Sequence, residues 1–167
     1  MSSGVWLDET EQRAWRSLLT AYRRLLHCLD TELQACQDMS VSDYGVLVEL
    51  SEAPGGRMRM SELAELAHLS PSGLTRRLDT LVDAGWVERA RCPTDRRGAF
   101  AVLTAAGRAR LERAAPDHVA QVRHHFVERL TRQQLRSLAE ALEAVATGCA
   151  GHDMEAGGSE PGGAQAH

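Results

Sequence analysis

Apolar residues recur at spacings of three and four over long stretches of the chain, and this period predicts helices. From about Thr10 to Gln34 one wide apolar stripe is formed by Trp15, Leu18, Tyr22, Leu25 and Leu29. A stripe of this width can face a core, a partner helix or both. A second stripe predicts the last helix, and its members are Leu135, Leu138, Leu142 and Val145.

Capping residues and breakers predict where further helices begin and end. Ser40-Val-Ser-Asp43 has the order of a capping box, and the helix that follows should stop at Ala53-Pro-Gly-Gly56. Thr104 is predicted to cap another helix, which Pro116 should kink or briefly break. Thr131-Arg-Gln-Gln134 is a second capping box and predicts the start of the last helix.

The central stretch predicts two short helices joined by a tight turn at His68-Leu69. Ser61 is predicted to cap the first helix, with Leu63, Leu66 and Ala67 facing inward. Ser70 should cap the second helix with Pro71 at its first position, where the missing N–H costs nothing. Gly85 is typical of the position just past a helix end. The buried face of the second helix is predicted to be Leu74, Leu78, Leu81 and Val82.

Strand patterns flank this helix pair. Arg57-Met-Arg-Met60 alternates polar and apolar residues and is predicted to be a short strand that pairs with a following hairpin. The hairpin strands are Trp86–Arg89 and Ala99–Leu103, and the loop between them carries Asp95-Arg-Arg-Gly98. Helix, turn, helix and a basic wing together are typical of a DNA-binding unit. The predicted fold class is therefore mainly α with a small antiparallel β wing.

Composition and charge agree with this prediction. The chain has 167 residues, of which 43% are hydrophobic and 25% charged, which suits one globular domain with appended helices. No apolar run approaches the roughly 20 residues of a membrane span, and the first residues lack signal-peptide features, so we expect a cytoplasmic protein. The net charge of the chain is −4, but the segment from Arg57 to Gly98 contains eight arginines and only six acidic residues. For DNA binding, a local excess of positive charge matters more than the net charge of the whole chain.

The second helix of the pair carries the residue types that a major-groove helix needs. Small residues allow close approach, hydroxyls can bond phosphates or bases, and free N–H groups at a helix start suit a phosphate. Arginines can bind guanine edges or the backbone, and an arginine at a wing tip can enter the minor groove. The predicted DNA-binding residues are Ser70, Ser72, Gly73, Thr75, Arg76, Arg77, Asp95, Arg96 and Arg97.

Within this set Arg97 is the candidate for the minor groove, and Asp95 is predicted to accept hydrogen bonds from Arg76 or Arg77. The alternative for the wing is an arginine-lined hairpin with a solvated tip.

The chain resembles the MarR family, the multiple antibiotic resistance regulators. The resemblance rests on Leu69–Arg89, Asp95–Gly98 and Leu103–Gly107, and Met39-Ser40 also fits. It implies a winged-helix homodimer that binds palindromic operators, usually as a repressor, with the family's wing aspartate and arginine at Asp95 and Arg97. Its first and last helices would form the dimer interface, through Leu18, Leu25, Leu135, Leu138, Leu142 and Val145.

These inferences give a domain plan. Residues 1–9 are predicted to be an arm, and residues 10–147 a MarR-type domain. Within that domain the winged helix-turn-helix spans about 40–104, and the dimerisation helices span about 10–35 and 105–147. Residues 148–167, rich in Gly, Ala, Glu and His, are predicted to be a disordered tail.

The resemblance also implies release from DNA by a small, often aromatic or phenolic, anion. Trp15, Arg16, Tyr22 and Tyr44 could line its pocket; the alternative is that the aromatic residues are core and Arg16 is solvated. A redox-sensing repressor that uses Cys28 or Cys36 is a second possibility. Their positions depart from the family's peroxide sensors, and buried, inert thiols are the favoured interpretation.

No cofactor or metal is predicted. The four cysteines have no zinc-ligand spacing, and although His118 and His125 could share a helix face, solvated or interface histidines are favoured. Enzyme motifs such as G-x-S-x-G, the P-loop and H-E-x-x-H are absent from the sequence, so we expect no enzyme. The alternative from another class is a winged-helix module that binds protein rather than DNA.

Overall fold

The computed structural model describes residues 6–91 and 99–156, with side chains described as far as residue 148. The chain forms two compact units, Met1–His125 and Phe126–His167. The first unit contains most of the helices and the sheet, and the second contains the last helix. Among the described residues no helix is both long enough and apolar enough to cross a membrane.

The first unit begins with two helices whose starts are fixed by capping boxes. Helix α1 is Glu9–Gln37, and Asp8 accepts the backbone N–H of Glu11 at 2.9 Å. Helix α2 is Val41–Glu52, and the predicted box at Ser40 is confirmed because Ser40 Oγ accepts the N–H of Asp43 at 3.0 Å. Asp30 on α1 accepts the N–H of Val41 at 2.9 Å, which ties the two helices together.

Helix α3 is Met60–Leu66 and starts before the predicted cap. Its N-cap residue is Arg59, which makes no side-chain capping bond, so the assignment of Ser61 as the cap is wrong. The helix begins directly where a strand ends, which leaves no room for a separate capping residue. Leu63 is fully buried, but Leu66 is 48% exposed, because Ala64 completes the buried face instead.

Helix α4 is Pro71–Asp83, and both of its predicted end signals are confirmed. Ser70 Oγ accepts the N–H of Gly73 at 3.1 Å, and Gly85 follows the helix with φ +72°, a conformation that favours glycine. The predicted inner face is confirmed at Leu74, Leu78 and Leu81, which are almost completely buried, whereas Val82 is half-buried.

A three-stranded antiparallel sheet follows the predicted pairing. Its strands are β1 (Arg57–Arg59), β2 (Val87–Arg91) and β3 (Ala99–Leu103), in the order β1-β3-β2. Arg57 lies opposite Val102, and Val87 lies opposite Leu103. The prediction that the Arg57 segment pairs with the hairpin is confirmed, although Met60 belongs to α3.

Helix α5 is Ala105–His125 and begins at the predicted cap, since Thr104 Oγ1 accepts the N–H of Gly107 at 2.9 Å. The helix is continuous through Pro116, so of the two predicted effects the break is wrong, and the kink stays a prediction. Pro116 and Glu112 are both exposed, and water can therefore donate to the Glu112 carbonyl that lacks its helical partner.

The core of the first unit lies where α1 to α5 meet the sheet. Helix α5 packs against α1 and α2, and α3 packs against α4. Its largest fully buried side chains are Leu33, Met39, Val46, Leu47, Leu50, Leu63, Leu74, Leu78, Leu81 and Val87.

The second unit contains a short 3-10 turn, Val127–Arg129, and helix α6, Arg132–Ala156. The predicted capping box is confirmed: the N–H of Thr131 donates to Gln134 Oε1 at 2.9 Å, and the N–H of Gln134 donates to Thr131 Oγ1 at 3.2 Å. The helix continues to Ala156, past residue 148, where the disordered tail was predicted to begin. Polar and small residues such as Ala and Glu are compatible with a helix, so composition alone marked its end too early.

Candidate nucleic-acid interface

The first turns of α4 present small and hydroxyl-bearing residues on the surface. Ser70, Ser72, Thr75 and Arg76 are exposed, and Gly73 is half-buried. A Cβ at Gly73 would lie 3.0 Å from Ser70 Oγ, so glycine suits the capped turn. Thr75 Oγ1 donates to the carbonyl of Pro71 at 2.9 Å, which leaves the hydroxyl lone pairs available as acceptors. Five of the predicted site residues therefore lie on one short exposed segment.

Arg77 differs from its neighbour Arg76. Its Nη1 atom donates to Asp43 Oδ1 at 3.1 Å and to Ser40 Oγ at 2.9 Å, so its guanidinium is bonded to the start of α2. The side chain of Arg77 is 33% exposed and that of Asp43 13%. Asp43 is the one charged residue that is buried within residues 6–91 and 99–148.

A second arginine holds α4 from the sheet. Arg89 on β2 places Nη1 2.8 Å from Asp79 Oδ1, and its Nη2 donates to the carbonyl of Thr75 at 3.1 Å. Sequence reasoning missed this residue, because the contact joins a strand to a helix and no local motif marks it. The position of α4 is therefore supported by charged contacts to both α2 and β2.

The start of α5 packs closely against the backbone that joins α4 to β2. The hydroxyl of Thr104 lies 2.8 Å from the Gly85 carbonyl oxygen and 3.1 Å from that of Trp86, so it can donate to either. A Cβ at Gly107 would lie 2.1 Å from the Trp86 carbonyl oxygen. Glycine is thus required where α5 passes the end of α4 and the start of β2.

Arginines also cover the outer face of the sheet. The guanidinium carbon of Arg57 lies 4.2 Å from the centroid of the Phe100 ring, and that of Arg59 lies 5.4 Å from it. Both arginines are exposed on β1. Stacking on an aromatic face orients a guanidinium. The predicted wing residues Asp95, Arg96 and Arg97 lie outside the described residues.

The four predicted effector residues are not all brought together in one chain. Trp15 and Tyr22 are 53% and 60% exposed on α1, so the alternative that they are core does not hold for the single chain. Tyr44 is half-buried, and its ring centroid lies 4.3 Å from that of His118. Arg16 borders a shallow groove along α1 that none of the three aromatic residues lines.

The Tyr44–His118 contact affects both titrating groups. Burial raises the pKa of Tyr44 and lowers the pKa of His118, because each charged form loses hydration. His118 Nδ1 is buried and has no hydrogen-bond partner in the structure. Burial therefore favours the neutral form of His118 over the charged form.

The predicted dimerisation residues keep part of their apolar surface exposed. On α1, Leu18 is 38% exposed and Leu25 is half-buried. In the second unit Leu142 and Val145 are 40% and 56% exposed, and Leu135 and Leu138 are half-buried. Each helix thus has an apolar stripe that its own chain leaves partly uncovered.

The cysteines and histidines give no redox pair or metal cluster in the part of the chain described. Cys28 is half-buried and Cys36 exposed, and both are free, so the expectation of buried thiols is wrong for Cys36. Cys36 lies at the end of α1, where Gln121 Nε2 donates to its Sγ at 3.5 Å. His125 pairs with Glu32 at 2.7 Å, apart from His118 and Tyr44. Residues 6–91 and 99–148 hold no group of three potential metal ligands.

Comparison with known proteins identifies the family. The model described as MarR family matches residues 37–98, a range that contains α2, β1, the helix pair α3 and α4, and β2. The crystal structure of AbsC, a MarR family transcriptional regulator from Streptomyces coelicolor, is 42% identical and superposes with a TM-score of 0.80, over 89% of this chain and 99% of AbsC. The chain belongs to the MarR family.

Two further MarR relatives bear on the interface. Sco3205 from Streptomyces coelicolor, whose crystal structure is in complex with DNA, is 44% identical with a TM-score of 0.80, over 86% of this chain and 94% of Sco3205. The transcriptional repressor YetL of Bacillus subtilis is 27% identical over 116 residues, 70% of this chain and 69% of YetL. The winged-helix fold predicted from the sequence is confirmed by these matches.

Proposed function

We propose that this MarR family member is a homodimeric, sequence-specific DNA-binding regulator that represses transcription from a palindromic operator. The observation that carries the proposal is the start of α4, a capped helix end that exposes Ser70, Ser72, Thr75 and Arg76 while its leucines are buried. A helix held in this way can enter a major groove, which is about 12 Å wide. Binding is the proposed activity, and no catalytic step is part of it.

Charge and relatives support DNA as the partner. Arg57 and Arg76 are exposed on β1 and α4, and each can neutralise a phosphate. The Sco3205 relative was crystallised with DNA, and the proposal extends that partner to this chain. The wing arginines Arg96 and Arg97 are proposed from the sequence alone as further contacts, with Arg97 in the minor groove.

Dimerisation is proposed because α1 presents apolar side chains that its own chain leaves uncovered. Trp15, Leu18, Tyr22 and Leu26 are 53%, 38%, 60% and 36% exposed, and spacings of three and four put them on one face. A second copy that covers this face would remove the stripe from water. Leu135, Leu138, Leu142 and Val145 of α6 are proposed to take part. A two-fold dimer would then place two α4 helices on the half-sites of a palindrome.

Repression and its relief form the last part of the proposal. YetL is a repressor, and a dimer bound over a promoter would exclude the polymerase. Trp15 and Tyr22 expose aromatic rings on α1, and Arg16 on the same helix is also exposed. Rings and a guanidinium suit an aromatic carboxylate, so we propose such an anion as the ligand. Tyr44 would offer only part of its ring, since it is half-buried and lies against His118.

The proposal is tested by fluorescence anisotropy with the DNA upstream of this protein's own gene. We expect saturable binding that exceeds binding to a shuffled sequence by at least about a thousand-fold. Arg97→Ala should weaken binding, and if the arginine meets the DNA backbone it should also reduce the slope of log K against log salt by about one phosphate contact. Equal binding to both sequences would contradict sequence-specific recognition, and no binding to any DNA would favour a protein-interaction module.

The ligand is tested by titrating benzoate, a minimal aromatic carboxylate, into the operator complex. Release of operator DNA by benzoate, but not by cyclohexane carboxylate at the same ionic strength, would support an aromatic anion. If neither compound changes the anisotropy, the ligand proposal fails while the DNA-binding proposal stands.

A further inference from the structure

We propose that Arg77 positions the recognition helix α4 from behind and does not contact DNA. It does so through the Ser40–Asp43–Arg77 cluster, which joins the middle of α4 to the first turn of α2. The inference rests on the proposed function, since it concerns how α4 is held for DNA. It assigns different tasks to two adjacent arginines, Arg76 and Arg77.

The cluster is a closed set of short polar contacts. Ser40 Oγ accepts the Asp43 N–H at 3.0 Å and an Arg77 N–H at 2.9 Å, and its own proton can go to Asp43 Oδ2 at 2.6 Å. Asp43 Oδ1 accepts from Arg77 at 3.1 Å, and Asp43 Oδ2 from the Ser40 N–H at 3.3 Å. The capping box of α2 is thus also the receptor for the Arg77 guanidinium.

Burial makes this contact stronger than a surface ion pair. The Asp43 side chain is 13% exposed, and an ionised carboxylate at that depth needs its hydrogen bonds. Charge-assisted bonds of low exposure are stronger than neutral ones, and breaking one leaves a charge without compensation. Any movement of α4 that withdraws Arg77 is therefore opposed, because it would leave the buried Asp43 carboxylate without its charged partner.

The cluster controls the rotation of α4 about its own axis. Successive helix residues are turned by about 100°, so Arg77 lies on one flank of the leucine face and Thr75 and Asp79 lie on the other. Arg89 holds that second flank through the Thr75 carbonyl and Asp79. The buried leucines resist lifting of the helix but are less specific about its rotation. The two arginines together therefore set which residues face outward.

Arg76 is the matched comparison, because it is the next residue on the same helix. It is exposed and points away from the leucine face, towards the side that carries Ser72. The charge of Arg77 is already paired with Asp43, so it releases no counterion from DNA. Removal of Arg77 should thus weaken binding without changing its salt dependence, whereas removal of Arg76 should change both.

The experiment compares Arg77→Gln, Asp43→Asn, the double variant and the control Arg76→Gln by operator anisotropy over a salt series. Each titration is normalised to the active fraction from stoichiometric binding. We expect both single variants of the cluster to raise Kd about ten-fold with the wild-type salt slope. The double variant should be no weaker than the weaker single variant, because the two residues act through one contact. Arg76→Gln should lower the slope by about one.

Two results would overturn the proposal. A lower salt slope for Arg77→Gln, with normal binding by Asp43→Asn, would make Arg77 a phosphate contact. A reduced active fraction with an unchanged Kd would mean that the cluster serves only the stability of the fold. If Arg77→Gln does not fold, Arg77→Lys, which keeps one charged donor for Asp43, is expected to fall between wild type and Asp43→Asn in Kd.

A measurement without DNA separates this proposal from the proposed function. Amide hydrogen exchange of α4 should be at least about three-fold faster in Arg77→Gln and Asp43→Asn than in wild type and Arg76→Gln. Unchanged exchange in α4 would refute the positioning role even if the protein binds its operator. If α4 exchanges faster in the two variants but the wild-type protein binds no operator, Arg77 still positions α4, and only the proposed role of α4 in DNA binding is refuted.

Discussion

Gly107 carries the tightest steric requirement among the described glycines. A methyl group there would lie 2.1 Å from the Trp86 carbonyl oxygen and 2.8 Å from Leu103 Cδ1. The carbonyl belongs to backbone that Thr104 also holds by hydrogen bonds, so it cannot move without disturbing the start of α5. A single hydrogen atom in place of a side chain thus decides how closely α5 approaches the wing.

Gly107→Ala should lower the free energy of unfolding by about 1–3 kcal/mol, because the added methyl overpacks this contact. Urea denaturation at fixed protein concentration measures the change. Gly45→Ala is the control: it lies inside α2 with nothing within 4 Å of the new Cβ, and should stabilise by about 0.5–1 kcal/mol. Equal effects at both positions would contradict the steric argument.

His118 gives the protein a stability that depends on pH. Burial lowers its pKa in the folded state, while the unfolded chain keeps the ordinary value of about 6.5. Below that pH the His118 side chain binds a proton more readily in the unfolded state than in the folded state, so acidification favours unfolding. The contribution of His118 to stability is present at pH 7 and above and is lost as the pH falls through 6.5 towards the folded pKa.

His118→Phe keeps an aromatic ring against Tyr44 but removes the titrating group. We expect the variant to lose less stability than wild type between pH 7.5 and 5.5, measured by urea denaturation at each pH. The comparison is of slopes, so a constant offset caused by packing does not affect it. Parallel curves for the two proteins would mean that His118 titrates equally in the folded and unfolded states.

At the scale of elements, the helix starts are decided by a few side-chain caps. Ser70 accepts the N–H of Gly73 and precedes Pro71, so two of the free groups at the start of α4 are accounted for. Ser61, the same residue type, lies inside the first turn of α3 and makes no cap. Substitutions at these two serines therefore distinguish the loss of a helix cap from the loss of a hydroxyl group that caps nothing.

Ser70→Ala should lower the free energy of unfolding by about 1 kcal/mol, because an N–H of the first turn loses its acceptor. Ser61→Ala should change it by less than about 0.5 kcal/mol. Thermal unfolding followed by circular dichroism compares the two variants under identical conditions. A larger loss for Ser61→Ala than for Ser70→Ala would show that α3 is capped at Ser61 after all.

Caps such as Ser40, Ser70, Thr104 and Thr131 were predictable because each depends on residues within a few positions. The leucine face of α4 was predictable for the same reason. The start of α3 was not, since it is set by pairing of β1 with a strand more than forty positions away. The partners of Arg77 and Arg89 could not be predicted either, because their hydrogen-bond acceptors are distant in sequence and come near only in the folded chain.

At the scale of the whole molecule, α1 carries an apolar face that the described part of a single chain leaves exposed. Trp15 and Tyr22 expose more than half of their area, and Leu18 and Leu26 lie between and beyond them on the same face. Burial of such side chains contributes about 25 cal/mol for each Å² removed from water. A second copy is the partner we propose for this face.

Tyr22→Asp should shift the protein from dimer to monomer, because a carboxylate at the interface would have to lose its hydration. Sedimentation velocity over a range of protein concentrations measures the shift. Thr20→Asp adds the same charge on another face of α1 and should leave the dimer intact. Leu142→Asp on α6 should also weaken the dimer, and a dimer that survives both Tyr22→Asp and Leu142→Asp would refute the proposed interface.

The separation of Arg76 from Arg77 has a consequence for protein engineering. Ser72 and Arg76, whose side chains would meet bases, lie on the outward side of α4, whereas Asp43, Arg77 and Arg89 hold the helix from behind. Libraries randomised at the outward positions should thus yield variants with altered operator preference and wild-type melting temperature. Libraries that include Arg77 should yield mostly weak binders of every sequence.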